Sequence, residues 1–261
     1  MKKNSYGEVV NFSGCFKLLN LVLFSILIIM PVPGQNMDVT FITEIYPYAA
    51  FYEDGNLVGF AVELLHAIWR WLGDPPAPIH VYPWARGYNL ALTEPNVMLF
   101  SMARTAEREK LFKWVGPIGR GSYNLVGKEA RKNEIGTITS TSDAIRWRVG
   151  VLRSDYGQLL METGGHPSDK LVVLTHFDQL VRMLILDRVD MICVPQRTIN
   201  EYRSSHAEIP DLRNYVTVSQ TFFYYAFSLR TSDDIVKRYQ TALDAIDAER
   251  RRILHKYNEE P

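Results

Sequence analysis

The chain has 261 residues, 47% of them hydrophobic and 22% charged, with 29 Lys and Arg against 29 Asp and Glu. This composition excludes a disordered, collagenous or disulfide-rich chain. With no basic excess it also argues against nucleic-acid binding. The length suits one large domain or two lobes of about 100 residues each.

Lys2, Lys3 and Lys17 precede an apolar run from Leu18 to Met30, broken only by Asn20 and Ser25, and Pro31 to Gln35 follow. A basic start, a short apolar segment and small residues at the exit fit a secretory signal peptide over 1–34, with Val32 and Gly34 preceding a cut before Gln35. The run is shorter than the roughly 20 residues of a membrane-spanning helix, and an uncleaved anchor is the alternative. Phe12-Ser13-Gly14-Cys15 lies before the apolar run, the wrong side for a lipoprotein box. Cys193, in the run Met191-Ile192-Cys193-Val194, reads as a buried, inert thiol.

Strand-like and helix-like segments then alternate, the mark of an α/β fold. Asp38 to Thr43 reads as a strand, and Asp54-Gly55 as a turn. Val62, Leu65, Ile68 and Leu72 recur at helical spacing and predict a helix over Phe60 to Leu72, ended by Gly73 and the Pro75-Pro76 pair. Ile79 to Tyr82 is a strand, Trp84 to Thr93 a helix and Val97 to Ser101 a buried strand. Gly116 to Ser122 is a Gly-rich passage suited to a crossover between two βαβ sets. Tyr123 to Gly127 is a strand and Lys128 to Thr141 a polar loop. Strands follow at Arg148 to Leu152, Leu171 to Leu174 and Met191 to Val194. Helices lie between them at Tyr156 to Thr163 and Asp178 to Leu186. Val216 to Ser219 and Phe222 to Ser228 are strands, and Asp233 to Arg250 is one long amphipathic helix capped by Ser232.

Four ordered stretches resemble the family 3 extracellular solute-binding proteins, which include periplasmic receptors for polar amino acids. They are Tyr46-Pro47-Tyr48 with Asp54-Gly55 through Gly59-Phe60; Ser101 through Arg108, similar to S-x-x-x-T-x-x-R; Arg148 through Tyr156; and Leu186-Asp187-Arg188-Val189-Asp190, similar to G-R-x-D with Asp187 in place of Gly. Together they span most of 38–257. The resemblance implies a type II periplasmic-binding-protein (Venus-flytrap) fold: two α/β lobes with a double crossover hinge, lobe one at 37–120 plus 222–261 and lobe two at 124–219. It also implies a periplasmic location, a monomer, a small-molecule ligand in the cleft, and an ABC permease or a membrane sensor as partner.

Arg108 matches the family arginine that grips a ligand carboxylate, which suits a planar, permanently charged fork. Arg104 adds a second cation, and Ser101 is a loop contact. Ser154, Asp155 and Tyr156 lie at a helix start that favours an anion, although Asp155 as N-cap would satisfy those donors itself. Pro195 stands where amino-acid receptors place an Asp for the ligand ammonium, with Gln196 next. This favours a carboxylate-bearing or neutral polar ligand over a conventionally bound α-amino acid. Tyr46, Tyr48 and Trp84 offer flat apolar faces, and Glu44 is a lone cleft acid. The histidines lack metal-ligand spacing and no nucleophile motif is present, so no cofactor, metal or catalytic residue is expected. The rival functions are a sensory or scaffold module and a binding-protein-derived enzyme such as a dehydratase.

Overall fold

The computed structural model describes residues 39–206 and 208–257. The signal-peptide reading of 1–34 lies outside them. In chain order come strand β1 (Thr40–Thr43), the hairpin β2 (Phe51–Glu53) and β3 (Asn56–Val58), helix α1 (Phe60–Leu72), β4 (Ile79–Val81), α2 (Trp84–Thr93), β5 (Val97–Ala103) and the 17-residue β6 (Phe112–Lys128). Then follow α3 (Lys132–Ile135), β7 (Val149–Leu152), α4 (Tyr156–Thr163), β8 (Leu171–Leu174), α5 (Phe177–Ile185), β9 (Met191–Pro195), α6 (Gln196–Ser205), the 17-residue β10 (Leu212–Ser228), α7 (Asp233–Ala245) and α8 (Asp247–Lys256).

Eight strands form one sheet in the order β4-β1-β5-β10-β6-β9-β7-β8. β1 is parallel to β4 and β5, and β7 is parallel to β8 and β9. Between these two parallel sets run β6 and β10, antiparallel to each other from the Phe112–Ser228 pair to the Lys128–Leu212 pair. β10 joins β5 through Phe223 to Phe227, while β6 joins β9 through Tyr123 to Gly127. Each long strand thus serves two lobes, one at either end.

The crossing is more regular than the composition suggests. Gly116 to Ser122 is continuous β6 backbone rather than a loop. Its glycines serve packing: a Cβ on Gly121 would lie 2.4 Å from Cζ of the buried Phe223. The strands foreseen at Val216 to Ser219 and Phe222 to Ser228 likewise merge into β10.

α1 buries Phe60, Leu64, Leu65 and Ile68, residues at helical spacing, against the sheet. Each such side chain contributes about 2 kcal/mol of burial. Trp69 Nε1 donates to Tyr239 Oη at 3.1 Å, tying α1 to α7. The expected single C-terminal helix is two. The chain turns at Ile246, which is buried, and α8 then lies on α1 through Lys256–Glu63 and Arg70–Glu249 ion pairs. Ser232 accepts from the Asp234 amide, as an N-cap should. The polar segment Lys128 to Thr141, expected to be a loop, holds a 3₁₀ turn and α3.

In lobe two, Cys193 of β9 is buried beneath α4, and burial pushes its thiol pKa well up. Asp187 takes a positive φ of 55°, the backbone state for which the related motif uses Gly; Asp tolerates it better than most residues. Nearby Asp190, 5% exposed, accepts from the Arg148 amide at 2.7 Å, Arg148 Nη2 at 2.9 Å and Arg131 Nη1 at 2.7 Å. Burial raises its pKa, but these hydrogen bonds more than offset that and hold it at about 2.

A carboxylate whose pKa is lower folded than unfolded contributes stability above pH ~4 that is lost as pH falls through the folded value. Asp190→Asn should therefore cost about 2 kcal/mol in urea unfolding at pH 7. The gap to the wild type should narrow between pH 4 and pH 2.

Candidate functional site

The carboxyl ends of β1, β4, β7, β8 and β9 converge on one cleft, the place where open α/β sheets bind ligands. Its volume is about 850 Å³. One wall comes from the segments after β1 and β4: Glu44 to Glu53, with Tyr82 and Pro83. The other comes from Leu152, the turn Thr175 to Asp178 after β8, and Thr198, Glu201, Tyr202 and His206 of α6 and its end. Both lobes therefore contribute to one space.

Tyrosine hydroxyls fix two of its carboxylates: Tyr48 bonds Glu201, and Tyr202 bonds Asp178. The Tyr202 and His206 rings stack at 4.1 Å. Glu44, half-buried at the end of β1, has its pKa raised well above the usual range by burial and by the charge of Asp155.

A second, smaller recess of about 250 Å³ holds Arg108, Ser154 and Asp155 together with Tyr88 and Glu107. Arg108 is 4% exposed. It donates to the Ala103 carbonyl at 3.2 Å and, across the cleft, to the Ser154 carbonyl at 2.9 Å. Trp84 Nε1 donates to that same carbonyl at 2.8 Å. Ser154 presents it from a left-handed backbone with φ 60°. Such a conformation costs of order 1 kcal/mol in a non-glycine residue and persists where its surroundings hold it. The guanidinium carbon also lies 5.2 Å from the Tyr88 ring centroid and 5.8 Å from that of Trp84.

Asp155 caps α4, accepting from the Gly157 amide, and accepts from Tyr123 Oη at 2.9 Å. The donors at this helix start are thus engaged from within the chain. Burial raises the Asp155 pKa, while Arg108 and these hydrogen bonds pull against the rise.

The other sequence candidates are dispersed. Tyr48 lines the large cleft, at a positive φ of 65°. Tyr46 packs edge-on to Phe223 at 5.5 Å. Tyr156 shares a hydrogen bond with Ser219 Oγ at 3.0 Å. Gln196 accepts from Asn124 at 2.6 Å and donates to Asn200 at 2.9 Å. Ser101 is half-buried, and its hydroxyl has no partner among the described residues. Arg104 points to the surface, paired with Glu109 at 2.6 and 2.7 Å beneath Trp114 and Tyr224.

Most of the α6 and β8-end residues of the large cleft were not foreseen. α6 is mostly polar, with only Ile199 and Tyr202 to suggest a buried face. Pro195, immediately before its first residue, was the available signal, because proline favours helix starts.

The family model for bacterial extracellular solute-binding proteins, family 3, matches residues 38–260. This chain belongs to that family.

Solved structures agree on the fold. The arginine-, lysine-, histidine-binding protein ArtJ of Geobacillus stearothermophilus has 16% identity and a TM-score of 0.73 over 85% of this chain and 96% of that one. A mutant of ArgBP from T. maritima has 18% identity and a TM-score of 0.72 over 84% and 94%. A histidine kinase sensor domain with similarity to periplasmic binding proteins has 16% identity and a TM-score of 0.71 over 84% and 96%. A search of curated proteins finds no match. The family 3 chain therefore has the type II periplasmic-binding-protein fold, with its cleft between the lobes.

In this family 3 protein a raised Glu44 pKa makes stability fall as pH rises from about 4 toward the folded value, because the native state then binds protons more tightly than the unfolded one. Glu44→Gln should raise stability at pH 8 by roughly 1 kcal/mol, or about 2–4 °C in Tm. The gain should vanish toward pH 4 in thermal unfolding.

Proposed function

We propose that this protein is an exported, periplasmic, monomeric receptor whose two lobes close around a small polar ligand and hand it to an ABC-type permease. The single observation that carries this reading is the cleft of about 850 Å³ walled by both lobes at the carboxyl ends of five strands. Membership of a solute-binding family supports it. So do neighbours such as the substrate-binding protein of an amino acid ABC transporter. In this reading lobe one comprises 37–120 plus 222–261 and lobe two 124–219, with β6 and β10 as the hinge. Binding shifts the population toward the closed arrangement.

The motif at Arg108 supports a carboxylate ligand, which would have to take the Ser154 carbonyl's place on the guanidinium. The geometry better supports Arg108 as a latch: with Trp84 it holds lobe two to lobe one through one carbonyl. A sensory role is the second reading, favoured by the likeness to a histidine kinase sensor domain.

A ligand at 100-fold its Kd should add about 2.7 kcal/mol to stability. A thermal-shift screen of amino acids, dicarboxylates, amines and sugars should therefore find at least one compound that raises Tm and reduces the radius of gyration in solution scattering. If no class does either, the receptor reading fails. Arg108→Ala should enlarge the unliganded radius of gyration; an unchanged radius would remove the latch.

A further inference from the structure

The large cleft has a charge pattern that the motif reading did not use. Four carboxylates line it: Glu44 and Glu53 on one wall, Asp178 and Glu201 on the other. Neither lysine nor arginine is among its described lining residues, whose only basic side chains are the imidazoles of His176 and His206. Arg86 and Arg197 lie nearby and offset part of that charge. Their guanidinium carbons sit over the rings of Tyr82 at 4.0 Å and Tyr48 at 5.6 Å. Both rings belong to the cleft, and each already draws a cation to its face, as aromatic quadrupoles do.

Hydrogen bonds from Tyr48 to Glu201 and from Tyr202 to Asp178 hold two of these acids in place while leaving them acceptors for other donors. Thr198, in the same wall, is 6% exposed, and its hydroxyl has no partner among the described residues. Such a hydroxyl can accept from an incoming donor, as an ammonium group would be, as well as donate. Arg108, the group suited to a carboxylate, lines the other recess and donates to two backbone carbonyls. An anion entering the large cleft would meet the carboxylates of Glu53, Asp178 and Glu201, whereas an ammonium group would meet these, the Glu44 carboxyl, hydroxyls and aromatic faces.

We infer that the cleft takes a small organic amine, and a diamine best, with no carboxylate needed for recognition. The inference rests on the receptor reading and names its ligand class. Because the acids stand on both lobes, a compact dication interacts with both walls only when they are near. That gives it the differential affinity that closure requires.

Isothermal titration of the purified full chain with 1,4-diaminobutane, arginine and succinate tests the inference. 1,4-Diaminobutane should bind, more weakly at high salt, and succinate should not. Glu201→Gln and Asp178→Asn should each weaken the diamine by about tenfold or more, the range of a lost charge-assisted hydrogen bond. Asp178 is exposed, so its variant keeps the fold should Glu201→Gln lose it. Binding of succinate without 1,4-diaminobutane, or diamine binding indifferent to Asp178→Asn, overturns the amine inference and leaves the receptor reading standing. No heat from these probes, together with no thermal shift from the wider panel, removes both.

Discussion

β6 and β10 pair with each other from end to end, with three shifts of register, and the placement of everything else follows from that ladder. One end of the pair belongs to a parallel set containing β1, β4 and β5, the other to a set containing β7, β8 and β9. Both sets send their carboxyl ends to the same cleft, so loops distant in sequence become neighbours. Glu44 follows β1, Tyr82 follows β4, and Asp178 follows β8, yet all three line one space. The cost is close packing at the crossing, where Gly121 has no room for a side chain against Phe223.

The two recesses divide the chemistry. The small one is a contact made by the chain with itself, in which a strained Ser154 carbonyl is held by a guanidinium and an indole from the opposite lobe. The large one is rich in acids and aromatics. Glu44 of the large cleft and Asp155 of the small recess are both pushed toward their neutral forms by burial, and Glu44 further by the charge of Asp155.

Much of the fold was legible because periodicity reports burial. The spacing of Val62, Leu65, Ile68 and Leu72 places α1 correctly, and Ser232 places the start of α7. α6 escaped because most of its residues are polar: Ile199 and Tyr202 alone carry it onto the core of lobe two, too few to show a helical period, and its other contacts are with the cleft and with side chains such as Asn124. The break at Ile246 escaped because neither Gly nor Pro marks it; the turn is set by packing of α8 on α1, a tertiary effect. In the site, the motif located Arg108 and Asp155 but could not show that their partners are carbonyls and hydroxyls of this same chain. The acids of the large cleft share no spacing, since topology alone brings them together.

Cys193 gives the fold a silent internal clock. In a chain cut before Gln35 it is the sole thiol. It is 1% exposed, its pKa is raised by burial, and it lies under the first turn of α4. The opening proposed for the cleft would leave it covered, because α4 and β9 stand on the same side of it. Alkylation of this sulfur therefore counts only excursions in which lobe two itself comes apart. A receptor of the kind proposed would swing its lobes many times without exposing the group that would betray a loss of structure.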